Sequence, residues 1–379
     1  MPPMPSRLIP TAIAVALGVG CPALAQDTAN PPPGWLQNFG LAVLRAQDSD
    51  DTRLISPIGL ATVIAMLADG TDTDTEATAL GLAGADPLGA VSGHWRAMAG
   101  GDHGATIRFA SGVWLAPDFS LRDSFAARQQ AALSARVARV DFTQPQTLSL
   151  LNDWFAEATG GMIPQLLDDL PPDTRIVLGN ALALQGRWET AFDPGLTIPA
   201  PFTAGDGTQH TVDLMRREGV FEYRETADHS AVILPFAGDV LTVTLYLPTV
   251  GTPLETLLEP GGALASADGF EPRVGRVEVP RLNLRAGGNL SETLRGMGML
   301  TGTHYPRLTP EPLVIGPVIH RTAMTLDEQG VEAAAATAAI GLRTAGAERF
   351  VLRLDRPFTL AITHRPSDTP VFMGLVVTP

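Results

Sequence analysis

Asp327-Glu328-Gln329-Gly330-Val331-Glu332-Ala333-Ala334-Ala335-Ala336-Thr337-Ala338-Ala339 begins with two acids, soon followed by a glycine, and then runs through small residues with almost no bulk. Composition favours an alanine-rich helix, because alanine is the best helix former. A helix here would lack an apolar stripe to hold it on a core, and short unpacked helices are marginal in water. Read as a strand, the segment alternates. Val331, Ala333, Ala335, Thr337 and Ala339 share one face, and Glu332, Ala334, Ala336 and Ala338 share the other. Side chains this small would let a strand enter between two existing strands without overpacking them. The second reading makes the segment a loop able to become a strand, and the rest of the chain must supply a sheet to receive it.

Composition limits the function classes. The chain has 379 residues, 45% hydrophobic and 17% charged, a balance that suits a globular protein with a large core. A formal charge of −14 argues against nucleic acid or an anionic membrane as partner, since both call for clustered cations. The sequence contains no lysine, which removes Schiff-base chemistry, a phosphate-loop lysine and a lysine general base together. H-E-x-x-H, G-x-S-x-G and phosphate-loop motifs are also missing, so the chain reads as neither a hydrolase nor a metal enzyme. No metal or cofactor is expected.

Residues 1–25 read as a secretory signal peptide. Arg7 precedes the apolar run Ile13–Val19, and Ala23-Leu24-Ala25 forms an A-x-A cleavage pattern before Gln26. The run is short for a membrane span. Cys21, the only cysteine, lies inside this segment; its lipidation is an open alternative, although Gly18 stands where a lipoprotein signal usually has an aliphatic residue. Cleavage after Ala25 would leave no cysteine and hence no disulfide, so the core alone would hold the fold. The expected location is secreted or periplasmic. Residues 26–34, with Pro31, Pro32 and Pro33, read as a linker.

From Trp35 onward helical patterns come first. A helix starts at Trp35, and a short strand at Leu54-Ile55 runs into Ser56-Pro57, a helix-start signal that opens the buried helix Ile58–Leu67. Thr106–Ala110 and Gly112–Leu115 read as two strands, and Phe125–Val137 as helical. The helix through Leu151–Thr159 is stopped by Gly160-Gly161 and Pro164. Arg175–Leu184, nearly all apolar, reads as a strand buried on both faces. Strands then dominate at Ser230–Leu234, Leu241–Leu247, Arg276–Val279, Phe350–Leu354 and Thr359–Ile362. Without a βαβ repeat the class is α+β, a single domain over 35–379 with large mixed sheets.

These segments carry a family resemblance over almost the whole mature chain. Ser56-Pro57 resembles the shutter of the serpins, and Asn180-Ala181-Leu182-Ala183-Leu184-Gln185-Gly186-Arg187-Trp188-Glu189-Thr190-Ala191-Phe192-Asp193-Pro194 resembles their most diagnostic stretch. Thr159–Pro164, Val279-Pro280-Arg281-Leu282, His320-Arg321, Arg356-Pro357-Phe358 and Val371–Val376 are similar to further serpin motifs in the family's order. Glu328, Gly330, Val331, Glu332, Ala333, Ala334, Ala335, Ala336 and Thr337 are similar to its hinge. The chain departs from the family at Gly59, where a second shutter serine is common, at Thr52, where asparagine is common, and at Val331, where Thr or Ser is usual.

The resemblance implies a secreted, bacterial-type serpin that is not an enzyme. It implies a monomer that inhibits a serine protease, trypsin-like or elastase-like, as a suicide substrate: a loop over about 328–350 is cut, then inserts into the central sheet with the protease attached. Family spacing from Glu328 places the cut at Thr344–Ala345, and one residue less places it at Arg343–Thr344; both remain open. Ser56, Asn180, Trp188 and His320 are the implied shutter and breach residues. Each has a purely structural reading too, as helix cap, buried amide, core indole and core imidazole. The alternative is a non-inhibitory serpin acting in binding or as a chaperone.

Overall fold

The computed structural model describes residues 31–47, 50–99, 104–171, 173–265, 268–302, 304–329 and 349–379. The expected signal peptide, the hinge from Gly330 to Thr337 and the bond candidates Arg343, Thr344 and Ala345 lie outside these residues. Among those described, the helices are α1 (Trp35–Ala46), α2 (Pro57–Gly70), α3 (Thr75–Ala79), α4 (Pro87–Met98), α5 (Asp123–Leu133), α6 (Gln146–Ala158) and α7 (Ser291–Gly296). The strands are β1 (Arg53–Ile55), β2 (Ala105–Leu115), β3 (Arg136–Arg139), β4 (Ile176–Gly186), β5 (Ile198–Thr203), β6 (Gln209–Glu225) and β7 (His229–Pro235), followed by β8 (Leu241–Pro248), β9 (Glu271–Pro280), β10 (Leu282–Asn289), β11 (Val318–Leu326), β12 (Phe350–Arg353), β13 (Phe358–His364) and β14 (Thr369–Val376). The α+β class is as expected.

Two sheets form among the described residues. One runs β1-β14-β13-β8-β7-β6-β9-β12, with β5 on β6; the other has five strands in the order β10-β11-β4-β2-β3. In the five-stranded sheet β10 and β2 lie antiparallel to their inner neighbours, but the central pair β11 and β4 is parallel, in register from Val318↔Leu178 to Thr325↔Gln185. β4 is buried along nearly its whole length, as its apolar run predicts.

Helix α2 explains how this sheet is supported. Ser56 caps it, its Oγ accepting from Gly59 N at 3.0 Å, and Pro57 takes the first helical position, where a missing N–H is harmless. All of its residues from Pro57 to Gly70 are buried, so α2 is a core helix without a polar face. Thr52 ties the entry to the chain end: its hydroxyl donates to Thr378 O (2.9 Å) and accepts from Val377 N (3.0 Å). On the sheet's other flank, Trp114 of β2 meets Trp154 and Phe155 of α6 with ring centroids 5.2 and 5.1 Å apart. Gly160 and Gly161 end that segment at φ 64° and 80°, the left-handed region glycine favours.

Some sequence expectations are corrected. The two runs Thr106–Ala110 and Gly112–Leu115 are one strand, β2, whose Ser111 pairs across to Asn180 like its neighbours. The helical pattern through Val137 ends at Leu133; Ser134 turns left-handed at φ 52° and Arg136–Arg139 joins β2 as β3. Strand β6, rich in charge, and strand β11 were not legible from alternation.

Candidate functional site

The central parallel joint is where the expected shutter residues meet. His320 on β11 faces Asn180 on β4 directly, and Ser111 of β2 faces Asn180 on the other side. Paired residues share a sheet face, so Asn180 and His320 point together towards the start of α2. Ser56 N donates to His320 Nε2 at 3.0 Å. The neutral ring therefore keeps its proton on Nδ1, which has no partner. Asn180 Nδ2 reaches Ala110 O at 3.5 Å, while its Oδ1 has none. A Cβ on Gly59 would come within 2.6 Å of that Oδ1. The second shutter hydroxyl expected to be missing is thus missing beside an unpaired acceptor.

The joint consequently holds a buried donor and a buried acceptor that are both unpaired, each costing about 1–3 kcal/mol. Burial also pushes the His320 pKa from 6.5 down to about 4. In the unfolded chain the ring binds a proton near 6.5, so His320 favours the fold fully above that pH. That contribution falls away between 6.5 and 4, by about 3 kcal/mol in all. His320→Gln, which keeps an acceptor for Ser56 N, is expected to flatten the pH dependence of urea-unfolding stability over this window. An unchanged slope would mean the imidazole is not the titrating group.

The second cluster lies at the end of the joint, where the chain leaves β11. Trp188 Nε1 donates to Asp327 O at 2.6 Å, Trp188 N to Gln329 O at 2.9 Å and Phe192 N to Glu328 O at 3.2 Å. Residues 327–329 are thereby bound to the segment that follows β4. Trp188 is buried, stacked on Phe236 at 5.1 Å and edge-on to Phe192 at 5.7 Å. The Glu328 carboxylate accepts from Arg281 Nε at 2.9 Å to both oxygens and from Thr197 Oγ1 at 2.6 Å, with Arg281 Nη2 at 2.7 Å. Burial opposes ionisation of Glu328, but the bonds from Arg281 and Thr197 outweigh it and hold the carboxyl below its ordinary value.

Ser56, Asn180 and His320 therefore form one cluster, and Trp188 and Glu328 another. Sequence reading missed Arg281 and Thr197 as partners of Glu328. Arg281 lies 47 positions from Glu328, and no local spacing joins them. Among the described residues no group of His, Cys, Asp and Glu is arranged to hold a metal, and no helix is long and apolar enough to cross a membrane.

A mixed sheet with a parallel central joint, polar groups at its middle and a tied loop origin at its end defines a class of single-domain α+β protein with a specific internal architecture. The chain belongs to the serpin family: residues 36–379 match the family model described as Serpin (serine protease inhibitor). Its members are mostly inhibitors of serine proteases and not enzymes. It is 27% identical over 349 residues to glia-derived nexin of Mus musculus, covering 86% of this chain and 87% of the relative, and 27% identical over 366 residues to alpha-1-antitrypsin 1-5 of the same species, covering 91% and 88%. In fold it is similar to the crystal structure of uncleaved ovalbumin, with a TM-score of 0.81 at 21% identity, covering 91% of this chain and 99% of that one. These relatives fix the family and not the bacterial, secreted subtype expected from the sequence.

Proposed function

We propose that this chain is an exported, monomeric inhibitor that traps a serine protease as a suicide substrate. The observation that carries the reading is the direction of the strands at the central joint. β11 and β4 run parallel, and the chain leaves β11 at Leu326. A strand folding back from that end would run antiparallel to both neighbours, the better-bonded arrangement. It would replace one ladder of eight paired positions with two such ladders. One extra ladder at about 0.5–1.5 kcal/mol per bond gives on the order of 10 kcal/mol. Entry of a strand between His320 and Asn180 would also end the present packing of their unpaired atoms. Strand insertion of a serpin loop is itself a standing example of this physics.

A driving force of that size is comparable with the folding stability of a protease domain, about 5–15 kcal/mol. A protease acylated by the cut loop and carried along with the new strand can thus be distorted before it releases itself. Residues 328–350 supply the loop. Arg343 would suit a trypsin-like pocket and Thr344 an elastase-like one. The test is incubation with trypsin-like and elastase-like proteases, followed by denaturing electrophoresis and mass spectrometry of the released fragment. A covalent complex with one fragment mass is expected, and that mass names the bond. Clean cleavage with no complex from every protease would instead support the non-inhibitory alternative.

A further inference from the structure

We propose that His94, Thr369, Ser367 and His364 form an acid-sensitive clasp that fixes α4 to the turn between β13 and β14 and lets go when both imidazoles are protonated. Four side chains from the two sides make a single hydrogen-bonded row. His94 Nδ1 meets Thr369 Oγ1, Thr369 Oγ1 meets Ser367 Oγ, and Ser367 Oγ meets His364 Nδ1, each at 2.6 Å. Thr369 is fully buried and His364 is 2% exposed, so most of the row lies out of water. Trp35 of α1 covers the outer imidazole, its ring centroid 5.8 Å from that of His94.

Three bonds need three protons. The two hydroxyls supply one each, so one imidazole must carry its proton on Nδ1 and the other must accept there. Either direction completes the row, and the two neutral histidines are then opposite tautomers. One added proton is accommodated, because the charged ring takes the donating end and the neutral ring the accepting end. A second proton makes both Nδ1 atoms donors, and four protons then compete for three bonds. A hydroxyl proton has to leave the row; the Ser367 carbonyl lies 3.5 Å from Thr369 Oγ1, at the edge of hydrogen-bonding distance. The two cations would also stand within about 8 Å of each other in a mostly buried place. Burial already holds the His94 pKa below its ordinary value, against the pull of Asp368. The neutral row therefore favours the fold above about pH 6.5, and that contribution is lost as the pH falls.

The charged groups around the row are few or already paired. For His94 they are Asp368 and its neighbour Arg365, which bonds Asp239 at 2.6 Å. α2 brings only Asp69, held by Arg128 and Gln129 of α5; α5 adds Asp123, and α1 carries Arg45 in its last turn. Arg96 of α4 itself bonds Ser92. Beside His364, β14 has no charged residue and β8 only the phenol of Tyr246, while the short helix Leu254–Leu258 adds Glu255, paired with Arg53. The turn is the fixed side of the clasp, since Arg365 N donates to Val240 O at 2.9 Å and its guanidinium holds Asp239. α4 is the side that moves. It braces the core through Trp95, whose Nε1 donates to Thr62 Oγ1 of α2 at 2.9 Å and whose ring packs on Phe109 of β2 with centroids 4.0 Å apart. Release of His94 loosens this brace on α2 and β2, the elements beside the central joint, so acid eases the opening of that sheet.

Hydrogen exchange read by mass spectrometry tests the clasp, following the amides of α4 against those of α6 in the same protein after correction for the intrinsic effect of pH. Between about pH 7.5 and about pH 5, exchange of α4 relative to α6 is expected to rise about tenfold. The α6 reference cancels any global loss, including that from His320. Ser367→Ala removes the middle of the row. It is expected to show fast α4 exchange already at the higher pH, with less than about a twofold further rise on acidification. An unchanged ratio of α4 to α6 in the parent would overturn the clasp, as would a full acid response in Ser367→Ala. Nitrogen NMR of the histidine-labelled parent near pH 7.5 decides the matter even if Ser367→Ala does not fold. Opposite tautomers at His94 and His364 are expected, and the same tautomer at both would overturn the row.

Discussion

Val331→Arg is expected to leave the protein folded and to convert it from an inhibitor into a substrate. Val331 is the first residue of the alternating face in the hinge sequence, so it would enter the sheet first. An arginine there would have to give up its hydration between β4 and β11, and an unpaired buried charge costs several kcal/mol. About 3 kcal/mol on the insertion barrier slows that step roughly a hundredfold. Deacylation then wins, and the protease leaves intact. The number of inhibitor molecules consumed per protease trapped should rise more than tenfold, with the melting temperature of the uncut protein within about 2 °C of the parent. Val331→Ala should trap as the parent does. If Val331→Arg traps at the parental ratio, insertion of this face is not the operating step.

Glu328→Lys is expected to have the largest effect on the intact protein. The carboxylate holds Arg281 and Thr197, and its backbone carbonyl takes the N–H of Phe192. A lysine would set a cation against Arg281 where an anion now sits. Because Arg281 is about half exposed, solvent screens part of the loss, leaving about 2–3 kcal/mol. That corresponds to a drop of roughly 3–4 °C in melting temperature for a folded unit of this size. Glu328→Gln, which keeps the shape and drops the charge, should lose about half as much. Swapping the pair as Arg281→Glu with Glu328→Arg should recover part of the loss, and full additivity of the two single losses would show that the pair is uncoupled. Acid should reproduce the effect in mild form: with its folded pKa depressed, Glu328 contributes fully above about pH 4.5 and loses its contribution as pH falls below that value.

The parts of this molecule that were legible in sequence are those built by local rules. The Ser56-Pro57 start of α2, the apolar run that becomes β4 and the glycine stop after α6 each follow from a cap, a burial pattern or a backbone preference confined to a few residues. Strand β11 escaped because Val318–Leu326 is buried on both faces yet carries His320, Arg321 and Thr322, so neither alternation nor an unbroken apolar run marks it. Only the resemblance singled out His320 and Arg321. The contact between Arg281 and Glu328 was invisible for another reason: the two residues belong to different parts of the chain, and only the fold brings them within 3 Å.

The most direct measurement compares thermal unfolding of the intact protein with that of the same protein cut once between Gly330 and Phe350. If the freed segment enters the joint between β4 and β11, a gain on the order of 10 kcal/mol should raise the melting temperature by roughly 10–15 °C. A cut protein that melts at or below the temperature of the intact one would mean that this sheet receives no strand.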